Sequence, residues 1–474
     1  MTEPTTIART PSDAHTAPPS DVPPSDGMTR RPADGPTRPA QDGRGLRLLV
    51  AAFAVTLLFD RLVVATWTDM PSWVYQWGYL TPLAVFWLVC LAVMTALHPR
   101  TALTRPLIWT VTLAVVALAA WCMLAETRFQ GNLEFELITV VLVMPALLML
   151  HAQLANGLYD VRRPLGVVVN WFAGWVVKPF TRIGGLFRLL DGLGRNLRAC
   201  GPDGTRRIGG AARKAGLAML IGLPLLAVLL ALLSGADMVF RYGLTRLFGD
   251  FDLRSLCTHA AWTLLPLPFL FSLLAHADDT SDKAKASYAM RAGLRFDGTV
   301  TVIVLGMALA AYAVFCGVQF TFLFAGAGLP DGLTYAEYAR SGFFQLLAVA
   351  AINLTMFGLA HTYARRTRTL VVMLVGLVGA TGVMLASAAR RLLLYIAAYG
   401  LTWMRYAAGA FIGLLAVMLL LALVKMVLPR LPLTAACLVA FLVWYVAFGW
   451  SDPAYVIGTF DAAHGFGMGP TIVP

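Results

Sequence analysis

The stretch SGFFQLLAVAAINLTMFGLAH, Ser341 to His361, runs for 21 residues without an acid, a lysine or an arginine. As an α-helix rising 1.5 Å per residue it covers about 31 Å, the thickness of a bilayer's hydrocarbon layer. Just upstream, Pro330-Asp331-Gly332 marks a turn, and Thr334 with Glu337 three residues later reads as a capping box. A helix is therefore expected from about Tyr335, with Tyr338 and Arg340 at the mouth of the span. Gln345 and Asn353 fall deeper, where a polar side chain needs a partner on another helix.

Runs of this kind recur along the chain. Hydropathy gives eleven candidates, at about 46–67, 78–97, 106–125, 133–153, 215–234, 257–275, 298–325, 335–363, 370–399, 402–425 and 431–450. The 474 residues are 58% hydrophobic and 13% charged, about half the charge of a soluble domain, so the bilayer is the solvent. The expected fold is all-α: a polytopic helical membrane protein with about 11 transmembrane helices. The six cysteines are scattered and form no CxxC pair, so they read as small apolar residues. Neither a disulfide framework nor a metal or other cofactor is expected. No GxxxxGK[ST] loop for nucleotide phosphates occurs.

Lysine and arginine orient the spans. With the N-terminus inside, 28 of the 37 fall in inner segments, so the N-terminus is expected to be cytoplasmic and the C-terminus extracytoplasmic. The chain then divides into a disordered cytoplasmic tail (1–44), membrane helices 1–4 (45–154), a basic cytoplasmic loop (155–214), membrane helices 5–11 (215–450) and an extracytoplasmic tail (451–474). The loop holds eleven basic residues against Asp160, Asp191 and Asp203, and carries much of the net charge of +12. Its segment VVVNWFAGWVVKPFTRIGGLFRLL, Val167 to Leu190, mixes Trp171, Phe172, Trp175, Phe180 and Phe187 with Lys178, Arg182 and Arg188. That pattern suits an interfacial helix meeting anionic lipid headgroups, not nucleic acid. A basic loop that only sets the orientation and has no specific ligand is another reading, and a docking surface for a separate acidic protein is the third. His98, His151, His276 and His361 each stand near an inner helix end, where a local role as C-terminal cap accounts for them.

Nine basic residues lie at the outer side, and all are arginine: Arg61, Arg128, Arg241, Arg246, Arg254, Arg340, Arg390, Arg391 and Arg405. Arginine presents a rigid fork suited to carboxylate or phosphate. In AARRLLLYIAAYGLTWMRY, Ala388 to Tyr406, Arg391 and Tyr395 share a helix face, with Tyr399 one turn on. Helix 370–399 would run about 45 Å, Gly400 would end it and Thr402 would cap the next. Tyr338, Arg340, Arg391, Tyr395, Tyr399 and Arg405 are the candidate ligand-binding residues. Asp60, Glu134, Glu136 and Glu337 are their possible acidic partners.

Three segments carry a resemblance: GLTYAEYARSGFFQLLAVAAINL (Gly332–Leu354), LLSGADMVF (Leu232–Phe240) and RRLLLYIAAYGLTWMR (Arg390–Arg405). Over about 215–430 they resemble the bacterial membrane family known as domain of unknown function 4173. The resemblance implies a multi-pass protein of the bacterial cytoplasmic membrane and implies no chemistry. Three functions stay open. One is non-enzymatic transport or handling of an anionic envelope or lipid component through an outward-facing Arg/Tyr cavity. The second is a membrane sensor or scaffold for a separate protein. The third is an intramembrane transferase on a lipid-linked substrate, for which Glu134, Glu136, Asp60 and Asp69 are the only catalytic candidates.

Overall fold

The computed structural model describes residues 39–69, 78–97, 105–128, 133–155, 163–199, 253–277, 295–319 and 343–466, with isolated positions at 71–74 and 222–238. Every regular element among them is a helix. Nine are long and apolar enough to cross a membrane: Gly43–Thr68, Pro106–Ala125, Leu133–Ala155, Thr258–Ala275, Gly298–Gly317, Phe343–Tyr363, Arg368–Tyr399, Trp403–Val427 and Leu433–Trp450. Thr81–Leu97 is apolar and shorter, at 17 residues. These ten match ten of the sequence candidates, and the chain is a multi-pass membrane protein. The remaining candidate, 215–234, lies outside the described residues apart from isolated positions. Residues 1–38, Glu337, Tyr338 and Arg340 lie outside them too.

The helices pack in two groups. Gly43–Thr68, Thr81–Leu97, Pro106–Ala125, Leu133–Ala155 and Leu433–Trp450 share one core that includes Val63, Phe86, Trp121, Met144 and Tyr445. Gly298–Gly317, Phe343–Tyr363, Arg368–Tyr399 and Trp403–Val427 build the other around Leu347, Leu377, Met384 and Leu415. Leu433–Trp450 packs on both Pro106–Arg128 and Trp403–Val427, which joins the groups. Lipid tails are as apolar as leucine, so burial alone does not hold such helices together; close approach and polar contacts do. Gly449 illustrates the first, because a Cβ there would stand 3.2 Å from the Trp121 ring. Tryptophan N–H groups supply the second: Trp87 donates to the Val140 carbonyl at 2.8 Å, Trp444 to Ala410 at 2.7 Å and Trp450 to Ala117 at 3.1 Å.

Three helices contain π-helical stretches, Asp60–Val64, Thr139–Val143 and Ala173–Val177. Such a stretch takes a carbonyl out of the regular ladder and re-aims the side chains around it. Trp87 bonds a carbonyl in the second stretch, so the irregularity there also serves packing.

Residues 164–199 form one helical run, Pro164–Phe172 and Lys178–Ala199 flanking the third π-helical stretch. Proline at its first position loses no helical hydrogen bond. The run packs against several of the spans. The Leu165 N–H donates to the Tyr363 hydroxyl at 3.2 Å, Trp171 Nε1 to Ala146 O at 3.2 Å, and Gln153 Nε2 to Asn170 O at 3.3 Å. The Ser272 hydroxyl donates to Pro179 O, and Leu189 sits against Gly45, where a Cβ would come within 2.7 Å of it. A helix in this segment was expected; that it ties both helix groups together was not.

Some local expectations change. His151 is fully buried, four residues before the end of Met144–Ala155, so it is a core residue and not an exposed helix cap. His361 stacks on Phe357 with ring centroids 5.7 Å apart. His98 and the side chain of His276 lie outside the described residues. Gln345 is exposed, only two residues from the described start of its helix, whereas Asn353 is buried and does find partners. Residues 451–474, expected as a tail, include a further helix, Pro453–Ala463.

Candidate functional site

The site predicted from the arginines and tyrosines starts on the 32-residue helix Arg368–Tyr399. At 1.5 Å per residue it measures about 48 Å, so its ends project well past a hydrocarbon layer of about 30 Å. Thr367 caps its start by accepting from the Leu370 N–H at 3.2 Å. It stops at Gly400, whose φ of 75° is open to glycine and strained for other residues. Thr402 occupies the cap position of Trp403–Val427, but its hydroxyl makes no cap bond. Just before it, Asp461 Oδ1 accepts from the Leu401 N–H at 2.7 Å.

Arg405 closes this turn. Its Nη1 donates to the carbonyls of Tyr399 (2.8 Å) and Gly400, at the negative end of the long helix. Its guanidinium carbon stands 4.0 Å from the centre of the Tyr395 ring and 5.7 Å from that of Tyr399. The two tyrosine rings meet edge to face at 5.3 Å. A cation over aromatic faces gains from the ring quadrupole. Three of the six predicted residues thus form one contact cluster.

Arg391 stands one turn before Tyr395 and is only 7% exposed, whereas its neighbour Arg390 is exposed. Ala388 and Leu392 on either side share a core with Phe343, three residues beyond Arg340. The described start of Phe343–Tyr363 therefore meets the long helix beside Arg391. Tyr338, Arg340 and the acid Glu337 lie outside the described residues.

The other acids are dispersed. Glu134 is exposed, and Glu136 is 2% exposed, next to Phe135, whose ring contacts Trp121, Trp403, Tyr445 and Phe448. One turn on, the Thr139 and Tyr445 hydroxyls lie 2.8 Å apart. Asp60 is 1% exposed at the start of the first π-helical stretch. Its Oδ1 is 2.8 Å from His259 Nδ1, and its Oδ2 is 3.8 Å from Arg61 Nε. Asp60 therefore engages His259 and Arg61, away from the Tyr395–Arg405 cluster.

The sequence reading singled out neither Asp461 nor His259. Asp461 gave no usable signal, because its partner is a backbone N–H 60 residues away. His259 did give one: an acid inside a span needs a partner, and His259 stands at the start of a span on the same side.

A second polar group crosses the other helix bundle. The Tyr312 hydroxyl donates to Asn353 Oδ1 at 2.8 Å, and Asn353 Nδ2 donates to Thr381 Oγ1 at 3.1 Å. Thr381 passes its own proton to the Leu377 carbonyl at 2.6 Å. Three helices are stitched at mid-span by this chain.

No curated protein and no solved structure matches the sequence. A family model does match residues 89–467, under the description "Domain of unknown function (DUF4153)". The match starts well before the segments that resemble domain of unknown function 4173 and ends beyond them, taking in the Pro453–Ala463 helix and Asp461. Domain of unknown function 4173 was expected, and this match does not show it; with most of its length matched, from the Thr81–Leu97 helix to the turn after Ala463, the chain belongs to the DUF4153 family.

Proposed function

We propose that this membrane protein handles an anionic envelope component, such as a phosphate-bearing lipid, at the Tyr399 end of its longest helix. The observation that carries the reading is the buried guanidinium of Arg391 one turn from the Tyr395–Tyr399–Arg405 cluster. Charge is costly near a membrane and is commonly kept there for function. The cluster also holds tyrosine hydroxyls and a second arginine, a set that suits phosphate or carboxylate oxygens. In this reading Tyr338 and Arg340 complete the site, and this end faces the outside of a bacterial cytoplasmic membrane, as the arginine and lysine bias favours. The segments that resemble domain of unknown function 4173 are the ones that carry these residues. The basic run 164–199 is proposed to meet anionic headgroups at the opposite face through Lys178 and Arg188.

One experiment separates the two ends. Full-length protein is purified in mild detergent, and bound lipids are counted by mass spectrometry for wild type, Arg391→Gln, Arg391→Lys and Lys178→Gln/Arg188→Gln. Arg391→Gln should stay monodisperse and lose a tightly bound anionic component that Arg391→Lys partly keeps, since lysine retains charge without the fork. The loop variant should lose only loosely held anionic lipid. If Arg391→Gln retains the full bound complement, the reading is wrong.

A further inference from the structure

Asp60 and His259 stand 199 residues apart in sequence and meet between two spans, at a place that the anion reading does not use. Asp60 stands in the Gly43–Thr68 span, eight residues, or about 12 Å, short of its Thr68 end. It is 1% exposed and opens the π-helical stretch Asp60–Val64. His259 is the second residue of the Thr258–Ala275 span and is partly exposed. The pair thus links a buried carboxylate to the end of a neighbouring helix. Immediately below it, Phe59 and Trp262 close the top of an apolar cavity of about 370 Å³ that continues past Cys90 and Trp175. The polar pair is therefore bounded on its membrane side by apolar walls.

We propose that Asp60 and His259 form a proton-binding site, a buried carboxylate–imidazole pair that takes up and releases one proton toward the Thr68 end of the bundle. With the proton bound between Oδ1 and Nδ1, the pair is neutral overall. When it leaves to water, a carboxylate and a neutral imidazole remain, and the buried site carries one net negative charge. Such a charge is costly unless met. Asp60 Oδ2 is buried and makes no hydrogen bond among the described residues, and it points toward Arg61 Nε at 3.8 Å, just outside hydrogen-bonding range. The Arg61 side chain is 66% exposed, so it is free to move closer as the site loses its proton and away as it regains one. Among the elements packed against the pair, Thr81–Leu97 brings Cys90, which lines the adjoining cavity. The side chains of Asp69, Arg254 and Cys257 on the flanking helices lie outside the described residues. Histidine is the side chain whose ordinary charge change falls in the physiological range, and ionisable groups inside spans commonly serve proton relays. The site is independent of the arginine–tyrosine cluster and stands whether or not that cluster binds an anion.

The test reads the proton directly. Full-length protein with ¹⁵N-labelled histidine is placed in lipid nanodiscs, and the His259 ring nitrogens are followed by NMR from pH 4 to 10, with His259→Gln identifying the signal. The wild-type ring should change protonation within this range. Asp60→Asn should displace the midpoint, because it takes the carboxylate out of the pair. Arg61→Gln should move it up, because it removes a competing positive charge from an exposed position with little effect on folding. A His259 ring that never changes protonation overturns the proposal, as does a midpoint that Asp60→Asn leaves in place. If Asp60→Asn does not fold, Arg61→Gln decides alone: an upward shift supports the site, and no shift or a downward one overturns it.

Discussion

Replacing Asn353 with leucine tests whether the mid-membrane polar chain is a structural clasp. Leucine keeps the branched shape of asparagine and removes both polar atoms. Two hydrogen bonds to oxygen partners go, to the Tyr312 hydroxyl at 2.8 Å and to Thr381 Oγ1 at 3.1 Å, along with a long, weak one from Nδ2 to Met384 Sδ at 3.9 Å. Side-chain hydrogen bonds between membrane helices average about 0.6 kcal/mol each, so the direct loss is about 1.2 kcal/mol. The Tyr312 hydroxyl is also left without its acceptor, which adds about 1 kcal/mol for a polar group away from water. Thr381 adds nothing, since it still bonds the Leu377 carbonyl. The expected cost is about 2 kcal/mol. Stability is measured as reversible denaturation in mixed micelles, with Tyr312→Phe and the double variant completing a cycle. Tyr312→Phe should cost little in the leucine background, because its partner is already gone, giving a coupling of about 0.6 to 1.7 kcal/mol. Additive single-variant losses, or a fully stable Asn353→Leu protein, would refute the clasp.

Gly400→Ala should lower thermal stability by about 1–3 kcal/mol, because it forces φ of 75° on a residue with a Cβ that would sit 2.8 Å from Asp461 Oδ1. Thermal unfolding in detergent checks this, and an unchanged midpoint would mean the turn relaxes freely. For topology, in a protein stripped of its native cysteines, Ala463→Cys should react with a membrane-impermeant thiol reagent in intact cells, and Thr367→Cys should not. The reverse pattern would invert the orientation.

What the sequence could show depended on the range of the physics involved. Membrane helices are local: a run such as Phe343–Tyr363 declares itself by length and apolarity, because each backbone group bonds within its own segment. The stop at Gly400 was legible for the same reason, since only glycine takes positive φ cheaply. The stacking of Arg405 on Tyr395 was half legible: both were placed around one Arg/Tyr cavity from two successive helices, but not with one over the ring of the other. Partners between distant segments were not legible. Thr402 looked like a helix cap by residue type, yet its hydroxyl makes no cap bond, and the Asp461 that holds the preceding Leu401 N–H comes from 60 residues on, where nothing local announces it. His151 looked like an end residue because its span was drawn two residues short; the helix continues to Ala155 and buries it.

The π-helical stretches mark the same boundary between local and long-range information. No sequence periodicity announces them, because one extra residue per turn leaves the apolar composition unchanged. Their effect is nevertheless on placement. In Gly43–Thr68 the stretch begins at the buried Asp60, and in Leu133–Ala155 it begins three residues after the buried Glu136. A regular helix would carry each following residue about 100° further round at a fixed rise, and shifting the register by part of a turn moves every later side chain with it. The aromatic wall of Phe135, Tyr445 and Phe448 begins just before one such shift, and the Trp87–Val140 bond lies within it. Deleting one residue within Thr139–Val143 would leave the flanking faces in place, because the stretch absorbs one extra residue, but straightening it with all five residues kept would rotate Glu136 and Phe135 relative to Leu147 and Leu148 by about 100°. One of those two faces would then have to leave the core they now share with Tyr445. The irregular backbone is therefore what lets an acid and an apolar packing face coexist on one membrane helix.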